Sequence, residues 1–381
     1  MLLTLRKLKN MNNKVIVIIG ITHHNTLSVV RSFGRVGTLV DVILYDGFAD
    51  SFVFKSRYVQ NAHVVSDIPS VLECLNHYYE SAVVVACSDG ISSLMDIHYD
   101  NLKNRYHFFH CNAQGKLTDL MNKKVQVHMA ADAGFMVPAT QLNQEVKLDS
   151  WQHYPCIVKP LTSAVGGKSL TICKNKESLC STLVQHSEPD SMLVQQMINI
   201  KNEIVILGLS VGGEVYVSGV IHKHRELIGG TTFSTVKDID SIPSSLVTAC
   251  EILVKSSSYE GLFGIECAYD GTSYQFIEIN YRNDATTYAL CVAGRNLLAA
   301  YYQYIIGNED WKSLINSDIH EIDSMVELRD IIHVMKRRVG LFKWLQEFKN
   351  SKCRYFRVKD DMKPYYAERN KMIKNFVHKI I

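Results

Sequence analysis

A chain of 381 residues with a formal net charge of +3 is too long for one ordinary hydrophobic core and is expected to divide into two or three domains. So small a charge gives no general reason to expect nucleic acid as a partner, and no run approaches the roughly 20 apolar residues of a membrane-spanning helix. The ten cysteines are scattered without a Cys-x-x-Cys pair, so they read as buried, reduced thiols rather than a zinc site or redox pair.

Residues 1–10 are Leu-rich and basic but have neither the long apolar core nor the small-residue cleavage site of a signal peptide, which makes the cytoplasm the expected compartment. Residues 14–20 (KVIVIIG) form a short β-branched run closing on glycine, as expected of a buried parallel strand. A helix is predicted over 26–33 and further strands over 40–45 and 82–87, so residues 12–115 read as an open α/β domain. Ligands collect at the carboxyl ends of strands in such sheets, which marks His23, His24, Asn25, Ser88 and Asp89. Ser88-Asp89 also reads as an ordinary helix cap. Gly20 is not followed by Gly-x-x-Gly, so the dinucleotide-binding fingerprint is absent.

An amphipathic helix is predicted over 117–133, ended by Gly134 with Pro138 soon after, and it opens a second, α+β domain over 116–310. Strands are expected at 156–159, 170–173, 192–197, 204–209 and 215–222, with Gly212-Gly213 turning the last two, and a lid subdomain at about 155–200. The final pair, 263–269 and 274–280, flanks Asp270-Gly271, a strong hairpin signal. Residues 311–381 read as a basic, helical C-terminal extension, whose charge fits either an anionic partner or a solvated helical surface. Trp344 and Phe348, four apart, read as core.

Two constellations carry chemistry. Along 274–282, Glu278, Asn280 and Arg282 alternate, so a strand places them on one face, and a turn at Asp270-Gly271 brings Glu266 beside Glu278. Two carboxylates and an amide make an oxygen-rich site for Mg²⁺, with Arg282 a cation for phosphate; an exposed hairpin face with ordinary charge pairing is the competing reading. The second is Lys159 followed by Ser163-Ala164-Val165-Gly166-Gly167-Lys168. Such glycines let backbone N–H groups turn toward a phosphate, although a hairpin loop with two solvated lysines has the same pattern. It is not a Walker-type P-loop, because Thr162 stands where the first glycine belongs.

Taken in order, Asn122-Lys123 before a helix, Cys156-Ile157-Val158-Lys159-Pro160, the glycine loop, Val194-Gln195-Gln196-Met197-Ile198 and Glu278-x-Asn280-x-Arg282 resemble the ATP-grasp superfamily over roughly residues 14–310. The resemblance implies an N-terminal α/β pre-ATP-grasp domain, an α+β ATP-grasp fold and a helical extension. It implies that Lys123 and Lys159 contact the phosphates of ATP, that Ser163, Gly166, Gly167 and Lys168 cover them, and that Gln195, Gln196 and Ile198 form the adenine hinge. Gln195 stands where many relatives carry Glu, and Glu203, the implied ribose ligand, requires a slightly longer hinge. Glu266, Glu278 and Asn280 would hold Mg²⁺, as two ions, with Mn²⁺ as a substitute; Arg282 and Lys159 would act on the transferred phosphoryl group. Within the superfamily, Gly20-x-x-x-His24-Asn25-x-Leu27 and Arg282-Asn283 look like the bacterial carboxylate-amine ligases of the carbamoyl-phosphate-synthase-like group.

That resemblance implies an ATP-dependent ligase that forms an amide from a small carboxylic or amino acid and an amine through an acyl phosphate. Bicarbonate activation of the carboxylase type and a catalytically silent ATP-binding subunit are the alternatives, and a homodimer is the expected assembly. His24, Ser88, Asp89, Arg225 and Asn283 are the candidate substrate residues. For His24 a packed histidine is an equal reading, and for Arg225 and Gly229-Gly230-Thr231 an exposed polar turn.

Overall fold

The computed structural model describes residues 14–161, 170–186, 188 and 191–377. Its first layer is a parallel sheet of five strands, β1 (Ile16–Gly20), β2 (Val40–Leu44), β3 (Val59–Val64), β4 (Ala82–Ala86) and β5 (Tyr106–His107), in the order β3-β2-β1-β4-β5. β1, β2 and β4 are buried throughout, as predominantly apolar, β-branched runs require when helices cover both faces. The half-exposed β3 (VQNAHV) has no apolar period and was not legible in the sequence. The strand order runs one way from β1 to β3 and the other way from β1 to β4 and β5, and this switch point makes a crevice at the carboxyl ends of β1 and β4. Gly20 permits the tight exit from β1, because a Cβ there would meet Thr26 Oγ1 at 2.4 Å.

The predicted helix over 117–133 is two helices, Lys116–Leu120 and Lys123–Asp132. Both starts are fixed by polar side chains rather than by the apolar pattern. The buried Asp96 carboxylate accepts the Leu117 and Thr118 N–H groups, and Asn122 Oδ1 accepts the Lys124 N–H at 2.9 Å.

A four-stranded antiparallel sheet follows, of β6 (Thr140–Leu142), β7 (Cys156–Pro160), β8 (Thr171–Cys173) and β9 (Met192–Gln196), ordered β6-β9-β7-β8. This unit begins before residue 155, because Thr140, Gln141 and Leu142 pair with Gln195, Val194 and Leu193. The central sheet contains β10 (Asn202–Val211), β11 (Glu214–Leu227), β12 (Gly230–Lys237), β13 (Gly261–Tyr269), β14 (Tyr274–Asn280), β15 (Ile322–Met325) and β16 (Cys353–Arg354), in the order β14-β13-β10-β11-β12-β15-β16. Gly212 and Gly213, both at positive φ, turn β10 into β11, and Ile228-Gly229, with Gly229 at positive φ, turn β11 into β12.

The C-terminal region is not purely helical. Besides its helices Glu327–Met335, Leu341–Asn350 and Lys363–Val377, it contributes β15, before the first helix, and β16, between the second and third; these extend the central sheet, β15 against β12 and β16 parallel to β15. Segments this short carry too few residues to show a strand period, and the free edge of β12 decides their state. The extension is also pinned to the first layer. Arg31, 1% exposed, donates from Nε to Asp361 Oδ2 at 2.8 Å and from Nη2 to the Asp361 carbonyl at 2.7 Å. One apolar core runs from β1 through the central sheet to Tyr355 and Phe356.

Candidate active site

The site is built on the β13–β14 hairpin. Gly271 turns it at positive φ, and Asp270 Oδ1 accepts the Thr272 and Ser273 N–H groups at 2.8 and 2.9 Å. A bulge between Glu266 and Cys267 leaves Ile277 without a partner and sets Glu266 directly opposite Glu278. Two positions along, on the same face, the pair is Gly264 and Asn280. β14 is an edge strand, and the buried Gln126 closes it: its amide donates to the Ile279 carbonyl at 3.0 Å and accepts the Ile279 N–H at 3.2 Å. Nothing in the sequence pattern distinguishes Gln126 from a surface helix residue.

Side chains then link in a chain of charge. Asn280 Nδ2 donates to Glu266 Oε1 at 3.2 Å, Arg282 Nη2 donates to Asn280 Oδ1 at 3.0 Å, and Arg282 Nε donates to Asp89 Oδ1 at 2.7 Å. Asp89 opens the helix Asp89–Ile97 beyond β4, with Ser88 as its N-cap, so the cap reading of Ser88-Asp89 holds, and both residues also line a cavity beside Arg282. Burial and the neighbouring Glu266 raise the Glu278 carboxyl above its usual range. Burial would raise Glu266 too, but Lys223 overrides it and holds Glu266 ionised below the usual range. Two facing carboxylates that repel each other favour a hard cation between them. Among the described residues no three His, Cys, Asp or Glu side chains group as a metal site. Two carboxylates and one amide oxygen would suit only a hard ion that takes the rest of its shell from phosphate and water.

On the other side of Glu278 stand two lysines. Lys123 Nζ lies 3.8 Å from Glu278 Oε2, and its backbone N–H donates to the Leu161 carbonyl just past β7, which brings it beside Lys159. Lys159 is buried and donates to Gln195 Oε1 at 2.8 Å. Its pKa is pushed down to about 8 by burial and then by the Lys123 charge. Bringing polyanionic phosphate to this pair reverses the second effect, so ATP binding at pH 8 is expected to take up a proton. Calorimetric titrations in buffers of differing ionisation enthalpy measure this, and Lys159→Arg should abolish the uptake; equal heats in all buffers would refute it.

A cavity of about 520 Å³ lies across Glu266 and Arg282 from the lysines. It is lined by His23, Asn25, Ser88 and Asp89 from the carboxyl ends of β1 and β4, and by Glu203, Lys223 and Glu226 from the central sheet. Lys223 was missed in the sequence. Its side chain is 9% exposed, and its ammonium touches Glu266 at 2.6 Å, Glu226 at 3.0 Å and Glu203 at 3.3 Å. These carboxylates raise its pKa well above the usual value against the effect of burial.

The model for the ATP-grasp domain family matches residues 123–290. This chain carries an ATP-grasp domain. The pre-ATP-grasp and ATP-grasp layers together resemble solved structures at low identity. N5-carboxyaminoimidazole synthetase from Staphylococcus aureus, complexed with ADP, superposes at a TM-score of 0.65 with 15% identity over 86% of each chain. L-amino acid ligase from Bacillus licheniformis gives 0.62 and 13% over 83% of this chain and 80% of that one. Biotin carboxylase from Campylobacter jejuni gives 0.60 and 15% over 77% and 71%. At such identities the likeness is one of fold. No curated protein sequence matches the chain.

Of the residues that the resemblance implies for the nucleotide, Ser163, Gly166, Gly167 and Lys168 lie outside the described residues. Gln195 is buried between Lys159 and Thr140, to whose Oγ1 it donates at 2.9 Å. Gln196 is exposed at the end of β9, and Ile198 is half-buried beyond it. Glu203 sits on β10 beside Lys223.

Three sequence candidates sit elsewhere. His24 is 2% exposed and packs edge-on to Tyr355 with its Nδ1 unpartnered; His23 lines the cavity instead, its pKa pushed down to about 4 by burial, Arg329 and Arg282. Asn283 is fully buried and ties the layers together, donating to Asn25 Oδ1 at 2.7 Å. Arg225 turns away because β11 is irregular between Lys223 and Arg225, which breaks the alternation that would align them. Its guanidinium meets Asp330 at 3.0 and 2.8 Å and Glu347 at 2.7 Å. Arg225→Ala is therefore expected to cost about 3 kcal/mol of stability, leaving Asp330 buried and unpaired, while nucleotide affinity of the folded protein stays within twofold; denaturant melts and nucleotide titrations check both.

Proposed function

We propose that this chain is an ATP-dependent carboxylate-amine ligase, which joins a small carboxylic or amino acid to an amine through an acyl phosphate and releases ADP and phosphate. The observation that carries the reading is the position of Arg282. It belongs to the hairpin that bears Glu266, Glu278 and Asn280, and it also faces the separate 520 Å³ cavity, so one cation serves both the phosphate side and the acceptor side.

A carboxylate oxygen is a poor leaving group, and phosphorylation corrects that. Lys123 and Lys159 would align the phosphates, and Arg282, kept cationic by Asp89 against burial, would neutralise charge on the phosphoryl group in flight. Glu266, Glu278 and Asn280 would hold Mg²⁺, which supplies charge neutralisation for the transfer. The carboxylates around the cavity, Glu203, Glu226 and Asp89, suit an amine that arrives as an ammonium ion. His23, held neutral at physiological pH, adds no positive charge that would repel such an ammonium. No protein nucleophile is required.

The test is ADP release from Mg-ATP with a panel of carboxylates crossed against amines. Release that depends on both partners supports the reading. Release with bicarbonate alone would reassign the site to carboxyphosphate chemistry, and no release by protein that binds Mg-ATP would make it a nucleotide-binding subunit.

A further inference from the structure

We infer that the C-terminal region carries a membrane-docking surface directed at anionic lipid, at the opposite edge of the central sheet from the catalytic hairpin. Two adjoining features compose it. The first is an apolar stripe on the helix Leu341–Asn350. Trp344 is buried there, stacked on Phe348 with centroids 5.3 Å apart and packed among Phe233 and Met325. At 100° per residue, Leu341, Leu345 and Phe342 fall on an adjoining face that turns outward. They are 51%, 46% and 88% exposed. An aromatic ring so fully in water is unfavourable by its apolar area and gains nothing from the fold.

The second feature is a cleft of about 440 Å³ lined by Phe348, Lys349, Arg354, Arg357, Lys359 and Met362. It contains four cations and no carboxylate, and among the described residues none of the four forms an ion pair. The cluster is preorganised nonetheless. Arg354 lies over the Phe348 ring at 4.4 Å and donates to the Phe348 and Lys349 carbonyls at 2.9 and 3.2 Å, while Arg357 stands 6.0 Å from the same ring. Two guanidiniums held on one phenyl ring without an anion repel each other, and a phosphate-bearing surface removes that cost.

Lys349 belongs to both features. It follows Leu345 by four residues and Phe342 by seven, so the stripe runs directly into the cleft. Apolar side chains that reach the acyl boundary beside cations level with the headgroups match the two layers of an anionic bilayer surface. No described helix is long and apolar enough to cross a membrane, so the contact is peripheral. β16 and β14 end opposite edges of the sheet, which leaves the cavity beside Glu266 open while the surface is docked.

Flotation of the full chain with phosphatidylcholine vesicles, with and without phosphatidylglycerol, tests this. Binding is expected only to the anionic vesicles and should weaken with salt. The triple variant Lys349→Ala, Arg357→Ala, Lys359→Ala should reduce partitioning about tenfold or more, and Phe342→Ser with Leu345→Ser about tenfold. Circular dichroism and nucleotide binding should be unchanged in both, because these side chains are exposed. Absence of binding, equal binding to both vesicles, or binding untouched by either variant would overturn it. So would self-association that Phe342→Ser abolishes in a protein that ignores vesicles, which would assign the stripe to a second copy of the chain.

Discussion

Glu278→Gln is expected to lower ADP release by about 10²–10³-fold, the scale on which one preorganised charge-stabilising group acts in a transition state, while the protein melts at an unchanged or higher temperature. The two halves of the result have separate causes. Glu278 is an acid whose pKa burial and Glu266 push upward, so its charged form is disfavoured in the folded chain and neutral glutamine removes a repulsion. The ion pair lost with Lys123 is long, at 3.8 Å and partly exposed, and pairs of that kind contribute about 0–1 kcal/mol. Relief of the buried repulsion is the larger effect. The proposed metal site nevertheless loses one of its two facing carboxylates, so affinity for Mn²⁺, followed by its electron paramagnetic resonance signal, should fall in parallel. Turnover and Mn²⁺ affinity both at the parental level would remove Glu278 from the metal site. Unfolding of the variant would instead make the hairpin face an ordinary charge network.

Asp361→Ala is expected to cost about 3–5 kcal/mol, as breaking one side of a buried ion pair does. Arg31 and Asp361 are each 1% exposed, 2.8 Å apart. The same carboxylate accepts Ser56 Oγ and the Arg57 N–H, at 2.8 and 2.9 Å. Removal leaves the guanidinium of Arg31 with only carbonyl partners, those of Tyr355, Phe356 and residue 361 itself, and these cannot balance its charge. The denaturation midpoint measures the loss. Combining Asp361→Leu with Arg31→Met should recover much of it, since an apolar pair of similar volume carries no desolvation penalty. A cost below about 1 kcal/mol for the single change would show that water reaches Arg31.

Neighbouring stretches of this chain differ in how much of themselves they disclose. The Val/Ile runs at β1, β2 and β4 announce a parallel sheet because burial on both faces demands them. The β13–β14 hairpin is legible because Asp270-Gly271 fixes where it turns and the period of two then aligns Glu278 with Asn280. By contrast β15 and β16 are too short to have a period and exist through the edge they join. In the pair His23-His24, adjacent side chains with identical chemistry divide between cavity wall and core; composition does not distinguish them, but the direction of one helix start does.

The sequence by itself determined the alternation of strand and helix in residues 14–115, the hairpin that sets Glu266 opposite Glu278, and the choice of Lys123 and Lys159 as candidate phosphate ligands, because these depend on local period, turn chemistry and residue type. Only the tertiary structure decided which cations belong to the site. Lys223 and Arg225 differ by two residues and would share a face on a regular strand, yet an irregularity in β11 sends the first to Glu266 and the second to Asp330. A break in strand register depends on how the whole sheet closes, and residue spacing holds no record of it.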